Sequence, residues 1–94
     1  MRRLYLHEKV HDSFVKRLVQ AYPKVTARMG HPLNEDTLLG PLHNQKAVQD
    51  YVDGIKAIKE QGGQILYGGE VVTSREGNYV LPTVVSISPD APII

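Results

Sequence analysis

The fold is decided by residues 44–69, NQKAVQDYVDGIKAIKEQGGQILYGG, in which a helical pattern ends at two glycines and an apolar run follows. Asn44 is a good N-cap, because its short side chain can accept the free amide hydrogens of a first helical turn. Apolar residues then recur at helical spacing: Val48, Tyr51, Val52, Ile55 and Ile58. Gly62-Gly63 supplies the left-handed residue that commonly ends a helix. We expect a strand at residues 64–67, closed by Gly68-Gly69.

The first part of the chain predicts a strand, a helix and a long connection. The apolar run Leu4-Tyr5-Leu6 predicts a buried strand, and Asp12 or Ser13 can cap the helix that follows. The apolar stripe of this helix contains Phe14, Val15, Leu18, Val19 and Tyr22. Pro23 is expected to end it, since proline disfavours the helical conformation of the residue before it. Residues 24–43 predict a loop that is too long for a compact small domain unless it packs on something else.

The C-terminal third predicts a turn and then a strand that a proline interrupts. A polar turn around residues 74–78 leads to Tyr79-Val80-Leu81, and Pro82 separates this run from residues 83–87. Proline cannot donate to a strand ladder, so it confines the stretch to an edge, a bulge or a strand start. The order strand-helix-loop-helix-strand-strand predicts an α/β fold. Its strands are apolar at nearly every position, which is typical of a mainly parallel sheet with helices on both faces.

Composition excludes several classes of protein and site. The 94 residues carry a net charge of +1, with basic residues scattered among acidic ones, and so lack the basic stripe of a nucleic-acid-binding protein. No apolar run approaches the roughly 20 residues of a membrane span. The sequence contains no cysteine, which excludes disulfides, thiolate metal sites and a cysteine nucleophile within it. We expect a soluble intracellular protein that binds neither nucleic acid nor membrane.

No motif in the sequence predicts a catalytic, cofactor-binding or metal site. His7 and His11 are separated by a predicted strand-to-helix junction and no third ligand follows, so surface or capping histidines are favoured over a zinc site. Gly62-Gly63 and Gly68-Gly69 match neither of the nucleotide-binding glycine patterns and are interpreted as turns. No serine lies in a glycine elbow. The carboxylates of Glu35-Asp36 are interpreted as solvated charges of a polar loop.

Three stretches of the sequence resemble the aldehyde dehydrogenase superfamily. Residues 30–43, GHPLNEDTLLGPLH, resemble its Gly-Asn-Pro motif, spacer and Gly-Pro motif. Residues 60–69, EQGGQILYGG, look like the family's helix end and following strand, and residues 77–85, GNYVLPTVV, are similar to its glycine, aromatic and Pro-Thr stretch. The order and spacing of the three agree, and the resemblance covers essentially the whole chain.

Within the superfamily, the sequence is most similar to the antiquitin branch, the α-aminoadipic semialdehyde dehydrogenases of lysine breakdown. This similarity is carried by residues 40–43, 67–69 and 77–80. Three places depart from the usual family sequence, the first being Ala27-Arg28-Met29 in place of a Val-rich approach to the glycine. His31 replaces an asparagine, and Leu39 stands where many relatives carry a glutamine that touches the cofactor ribose.

The resemblance implies an internal piece of a catalytic domain. Residues 1–94 would form a single partial domain, with the family's nucleophilic cysteine just before the position of Met1 and its ribose-binding glutamate just after that of Ile94. No catalytic residue is carried over onto this chain, which we expect to be inactive alone and to bind no cofactor. The alternative is an independent small α/β interaction domain without catalysis.

For the parent enzyme, the resemblance implies NAD-dependent oxidation of an aldehyde to a carboxylate. A cysteine thiolate attacks the aldehyde, hydride passes to NAD, and water activated by a glutamate releases the acid. The substrate would be α-aminoadipic semialdehyde, and the compartment the cytoplasm or the mitochondrial matrix. The implied partners are the remainder of the dehydrogenase chain and further copies of the enzyme in a homodimer or homotetramer.

Overall fold

Two α-helices and a two-stranded sheet form the regular structure of residues 2–94, the part of the chain that the computed structural model describes. Helix α1 spans Glu8–Thr26 and helix α2 spans Gln45–Glu60. Strand β1 spans Gln64–Tyr67 and strand β2 spans Val84–Ser86. The predicted order of helix, loop, helix, strand and strand is confirmed.

The predicted ends of α2 are also confirmed. The side-chain oxygen of Asn44 accepts a hydrogen bond from the Ala47 amide at 2.9 Å. At the other end, Gly62 has a φ of 84°, and the Gly63 amide donates to the Ile58 carbonyl at 2.8 Å. This is the glycine-terminated helix end in which the chain reverses and satisfies the last carbonyls. It delivers the chain directly into β1.

Helix α1 begins earlier and ends later than predicted. Its N-cap is His7, whose ring nitrogen Nδ1 accepts a hydrogen bond from the Lys9 amide at 3.1 Å. The predicted cap at Asp12 or Ser13 is therefore wrong, because both residues lie inside the helix. Pro23 does not end α1 either, since it lies in the last turn, where its carbonyl accepts from the Ala27 amide at 2.9 Å. A proline here removes one amide donor and leaves the rest of the turn bonded.

The sheet is antiparallel, with Ile65 opposite Val85. The mainly parallel sheet predicted from the sequence is not formed within residues 2–94. A parallel neighbour is reached by a crossover connection, usually a helix. Residues 68–83 contain no helix and fold back on themselves, so β2 returns beside β1 in the opposite direction.

The prediction of a first strand at residues 4–6 is wrong. Leu4, Tyr5 and Leu6 have no strand partner among residues 2–94. A strand is held by backbone hydrogen bonds to a neighbour, and β2 pairs with β1 alone in the part of the chain that is described. The N-terminal segment, residues 2–6, instead borders a cleft beside β2.

The long connection predicted for residues 24–43 is confirmed from residue 27 onward. Its ends are brought together by an isolated bridge between Met29 and Leu39. The Leu42 amide also donates to the Asn78 carbonyl at 2.7 Å. The loop therefore packs on the turn that precedes β2, as a connection of this length requires.

Few side chains are buried. The buried apolar residues of the region described are Ile55, Tyr79 and Ala91, and α1 contributes none. The stripe predicted for α2 is confirmed at Ile55, which is 9% exposed, and is wrong at Val52, which is 40% exposed. The half-buried members of that stripe are Val48, Tyr51 and Ile58.

The molecule exposes more surface than a compact protein of its mass. A folded chain of 10.5 kDa is expected to expose about 5,450 Å². This chain exposes 7176 Å², so roughly 1,700 Å² is left uncovered. Its radius of gyration is 14.4 Å, against about 12 Å for a compact domain of the same length. The fold is therefore incomplete as a hydrophobic unit.

Candidate functional site

An apolar cleft lies between the N-terminal segment, α1 and β2. Its volume is about 380 Å³. Apolar side chains from each bordering element form its wall: Leu6, Val15, Leu18, Leu66, Val85 and Ile87. Arg2, Arg3 and His11 line it as well, and no aspartate or glutamate side chain of residues 2–94 does. The cleft is therefore a mainly apolar surface with two arginines at its border.

Helix α1 is fastened to the sheet near its C-terminal end. The Tyr22 ring packs edge-on against that of Tyr67, with 5.8 Å between the ring centroids, and Thr26 Oγ1 lies 2.6 Å from the Tyr67 hydroxyl. Near the other end of the helix, Val10 and Phe14 are 49% and 43% exposed. The N-terminal half of α1 thus leaves an apolar flank uncovered.

The backbone along the cleft is available for pairing. Strand β2 pairs with β1 along one edge. The N-terminal segment forms no backbone hydrogen bond with any other part of residues 2–94. An open strand edge presents a row of donors and acceptors to an incoming segment. The cleft therefore combines an apolar wall with an open strand edge.

A second arrangement, which we call the loop latch, fastens the long loop to the turn before β2. The hydroxyl of Tyr79, a residue only 6% exposed, donates to the Gly30 carbonyl at 3.1 Å. The Arg75 guanidinium lies 5.2 Å from the centre of the Tyr79 ring and donates to the Met29 carbonyl at 3.2 Å. These two hydrogen bonds join residues that lie 46 and 49 positions apart in the sequence.

A polar cluster ties α2 to the connection between the strands. The Tyr51 hydroxyl donates to the Leu81 carbonyl at 2.9 Å and lies 2.9 Å from Thr83 Oγ1. Thr83 Oγ1 in turn accepts from the Gly69 amide at 2.9 Å. Part-buried polar groups are thus paired, and each bond contributes about 1 kcal/mol to stability. This cluster holds residues 68–83 in the conformation that sets β2 against β1.

The sequence profile of the aldehyde dehydrogenase family matches residues 1–94, the full length of the chain. The chain belongs to this family. The resemblance inferred from the three motifs is therefore confirmed. Superposition agrees: the NAD⁺ complex of aldehyde dehydrogenase from Bacillus cereus matches with a TM-score of 0.82 and 28% identity, over 93% of this chain and 17% of that one.

Curated relatives confirm the similarity to the antiquitin branch of the dehydrogenases. Aldehyde dehydrogenase family 7 member A1 of Pisum sativum is 50% identical over 93 residues, which are 99% of this chain and 18% of that protein. Alpha-aminoadipic semialdehyde dehydrogenase of Rattus norvegicus is 44% identical over 95 residues, covering 100% of this chain and 17% of that protein. The chain thus spans less than a fifth of the length of these relatives.

The two histidines that the sequence offers as candidate ligands make only local contacts. His7 caps α1, and His11 Nδ1 lies 2.9 Å from Asp12 Oδ1. Across residues 2–94, no three histidine, aspartate or glutamate side chains are grouped so that they could hold a metal ion. Gly62 and Gly68-Gly69 have φ values between 80° and 84°. The turn interpretation is confirmed at Gly62, which lies in the turn after α2, whereas Gly68-Gly69 forms irregular left-handed backbone after β1.

The loop latch was not predicted from the sequence. Tyr79 appeared as the start of an apolar run and Arg75 as part of a polar turn, and neither residue type indicates a partner in a distant loop.

Glu35-Asp36 is exposed, as expected for solvated charges. Within residues 2–94, no helix has the length and apolar character needed to cross a membrane.

The latch predicts that Tyr79→Phe loosens the long loop. The substitution removes the donor to a buried carbonyl, so we expect a loss of about 1–2 kcal/mol of stability. Opening of the loop then exposes the bond after Arg28, and tryptic cleavage there is expected to accelerate roughly tenfold. Mass spectrometry of a timed digest measures that cleavage. Tyr5→Phe is the control, because Tyr5 is 75% exposed; equal cleavage rates in the two variants would contradict the latch.

Proposed function

We propose that this chain is the part of an NAD-dependent aldehyde dehydrogenase that lies between the nucleophilic cysteine and the ribose-binding glutamate of the catalytic domain. One observation carries the proposal: the whole chain matches the family while spanning 17–18% of its relatives. The uncovered surface supports it, because a segment of a larger domain leaves exposed the area on which the rest packs. In the enzyme, the chain is scaffold that supports the catalytic groups.

The residues of this chain supply no reacting group. The family's nucleophile is a cysteine thiolate, and this sequence has no cysteine. A dinucleotide pyrophosphate binds where a glycine-rich turn opens a helix. Here Gly62-Gly63 closes α2, and Gly68-Gly69 follows β1 without opening a helix. These turns do not fit a dinucleotide, so the contacts to NAD are assigned to the remaining chain, and the isolated chain binds no cofactor.

The whole enzyme is proposed to oxidise an aldehyde to a carboxylate with NAD as the oxidant. The name of the rat relative supports α-aminoadipic semialdehyde as the substrate, and hence a role in lysine catabolism in the cytoplasm or the mitochondrial matrix. The NAD⁺ complex of the Bacillus cereus neighbour supports the cofactor. The partners are the remaining dehydrogenase chain and further copies of the enzyme, in a homodimer or homotetramer.

Grafting tests the scaffold role. The matching segment of the pea enzyme is replaced by residues 1–94, and NADH formation from an aldehyde that the pea enzyme oxidises is followed by absorbance. Because the graft changes no reacting group, we expect kcat within about tenfold of the pea enzyme, a change of at most ~1.4 kcal/mol in activation free energy. The isolated chain is expected to give the buffer rate at any protein concentration.

Two results would oppose the proposal. One is aldehyde oxidation by the isolated chain that survives repurification. The other is a graft that melts like the pea enzyme and yet lacks activity. The second result, together with an isolated monomer that binds no hydrophobic dye because its apolar surface is covered, would instead favour a small independent interaction domain. The roughly 1,700 Å² of uncovered surface disfavours that alternative.

A further inference from the structure

A histidine side chain holds the tip of the long loop, residues 31–37. The ring nitrogen Nδ1 of His31 accepts a hydrogen bond from the Leu33 amide at 3.1 Å, and the His31 carbonyl accepts from the Asn34 amide at 3.0 Å. We propose that His31 is a pH-sensitive switch of the loop tip: its neutral ring closes this turn, and protonation of Nδ1 opens it. The switch is a property of the loop and goes beyond the scaffold role proposed above.

The chemistry of the imidazole ring makes the contact depend on protonation. A side-chain acceptor that binds the amide two residues further on closes a turn, a role that asparagine and aspartate commonly fill. In neutral histidine one ring nitrogen is a donor and the other an acceptor, whereas both are donors in the protonated ring. The bond from the Leu33 amide therefore requires the tautomer of His31 with its proton on Nε2. A proton on Nδ1 would face the amide hydrogen and remove the bond.

The direction of the pH dependence follows from this requirement. The bond contributes to the turn where the ring is neutral, and this contribution is lost as the pH falls and the ring takes up a proton. Histidine side chains change charge between about pH 5 and 8. We therefore expect a closed tip near pH 8 and an open tip near pH 5.

No ion pair joins His31 to a carboxylate of residues 2–94. The two arginines near the tip are bound to backbone carbonyls, because Arg28 donates to that of Asp36 and Arg75 to that of Met29, each at 3.2 Å. These charges shift the pH at which the ring is half protonated, but they leave the direction of the effect unchanged. The charged side chains of the tip, of its base and of the turn before β2 are Arg28, Glu35, Asp36, Arg75 and Glu76.

The base of the loop provides internal references for a measurement at the tip. The Gly30 amide donates to the Leu39 carbonyl at 3.0 Å, and the Leu38 amide donates to the Arg28 carbonyl at 2.8 Å. Both bonds join backbone groups, which carry no titrating proton between about pH 5 and 8. General unfolding would lower the protection of all three amides, whereas the switch lowers that of Leu33 alone.

Amide exchange followed by NMR near pH 8 and near pH 5 tests the switch. Protection is the ratio of the unstructured-peptide rate to the measured rate at the same pH. The protection of the Leu33 amide is expected to fall roughly fivefold between the two, the effect of losing one side-chain cap. The protection of the Gly30 and Leu38 amides is expected to change by less than about twofold.

His31→Asn and His31→Ala separate the switch from other effects of pH. The asparagine oxygen accepts the same amide without titrating, so we expect Leu33 to be protected at both pH values. Alanine removes the acceptor, so low protection is expected at both. All three chains carry His7→Asn, because Nδ1 of His7 makes the same type of bond with the Lys9 amide and would add a second pH dependence. Asparagine caps a helix without titrating.

Two results would overturn the switch. One is equal protection of Leu33 near pH 8 and near pH 5 in the chain with His31. The other is the same pH dependence in His31→Ala. Where the isolated chain associates, mass spectrometry of the pea enzyme carrying residues 1–94 gives the same comparison for peptides that cover the tip. The exchange rates are independent of aldehyde oxidation, so a failed switch leaves the scaffold role intact and an inactive graft leaves the switch intact.

Discussion

Gly68→Ala is expected to abolish the cooperative unfolding transition of the isolated chain. Gly68 has a φ of 80°, where a side chain costs about 1–2 kcal/mol. A Cβ there would also collide with the Pro82 carbonyl oxygen and lie 2.7 Å from Thr83 Oγ1. Thr83 belongs to the polar cluster that sets β2 against β1, so the collision is not relieved without breaking that cluster. We expect a total loss above about 3 kcal/mol.

Gly62→Ala is the matched control for this substitution. Gly62 has a φ of 84°, and a Cβ there would meet nothing within 4 Å. Gly62→Ala is therefore expected to lose only the backbone cost of about 1–2 kcal/mol, with no steric collision added. Urea unfolding followed by far-UV circular dichroism, at one low protein concentration, compares the two. Equal midpoints would show that the close approach at Gly68 contributes nothing.

Ile55→Asp is expected to have the second large effect. Ile55 is the buried residue of α2, and its Cγ2 would lie 3.8 Å from a Cβ built on Gly69. Loss of the apolar side chain costs about 2–4 kcal/mol, and an unpaired carboxylate in the same place adds a desolvation cost. The variant is expected to be unfolded at 25 °C by circular dichroism.

Val52→Asp is the control on the same helix. Val52 is 40% exposed, so its carboxylate stays in water and the expected change is within about 1 kcal/mol. A variant at Ile55 that melts like the parent chain would place that face of α2 in solvent and refute the assigned helical phase.

Helix α2 and β1 could be predicted because their signals are local. Asn44 caps within one turn of itself, and Gly62-Gly63 reverses the chain through its own backbone conformation. The bounds of α1 were harder to predict from the sequence. His7 can cap through a ring nitrogen, a role that short oxygen-bearing side chains usually fill. Pro23 is tolerated because it lies in the last turn.

The features that the sequence did not predict depend on distant partners. The apolar run at residues 4–6 has strand character, yet a strand forms only beside another strand, and residues 2–94 offer it none. Direction within the sheet depends on how residues 68–83 return, which a cluster of hydrogen bonds decides. The loop latch joins Tyr79 to Gly30 across 49 positions, and no periodicity in the sequence encodes such a pair. Local sequence patterns predicted the helices and strands, whereas tertiary contacts decided which strands pair and in which direction.

The attachment of α1 through Tyr67 has a consequence for synthesis on the ribosome. Elements α2, β1 and β2 contact neighbours close in sequence, which favours their early formation. Helix α1 must wait for Tyr67, 41 positions after Thr26. At roughly 5–20 residues per second, the nascent α1 leaves the exit tunnel several seconds before its docking surface exists. During that interval its apolar stripe is a binding target for chaperones, and codon-dependent pauses between the two regions would lengthen the exposure.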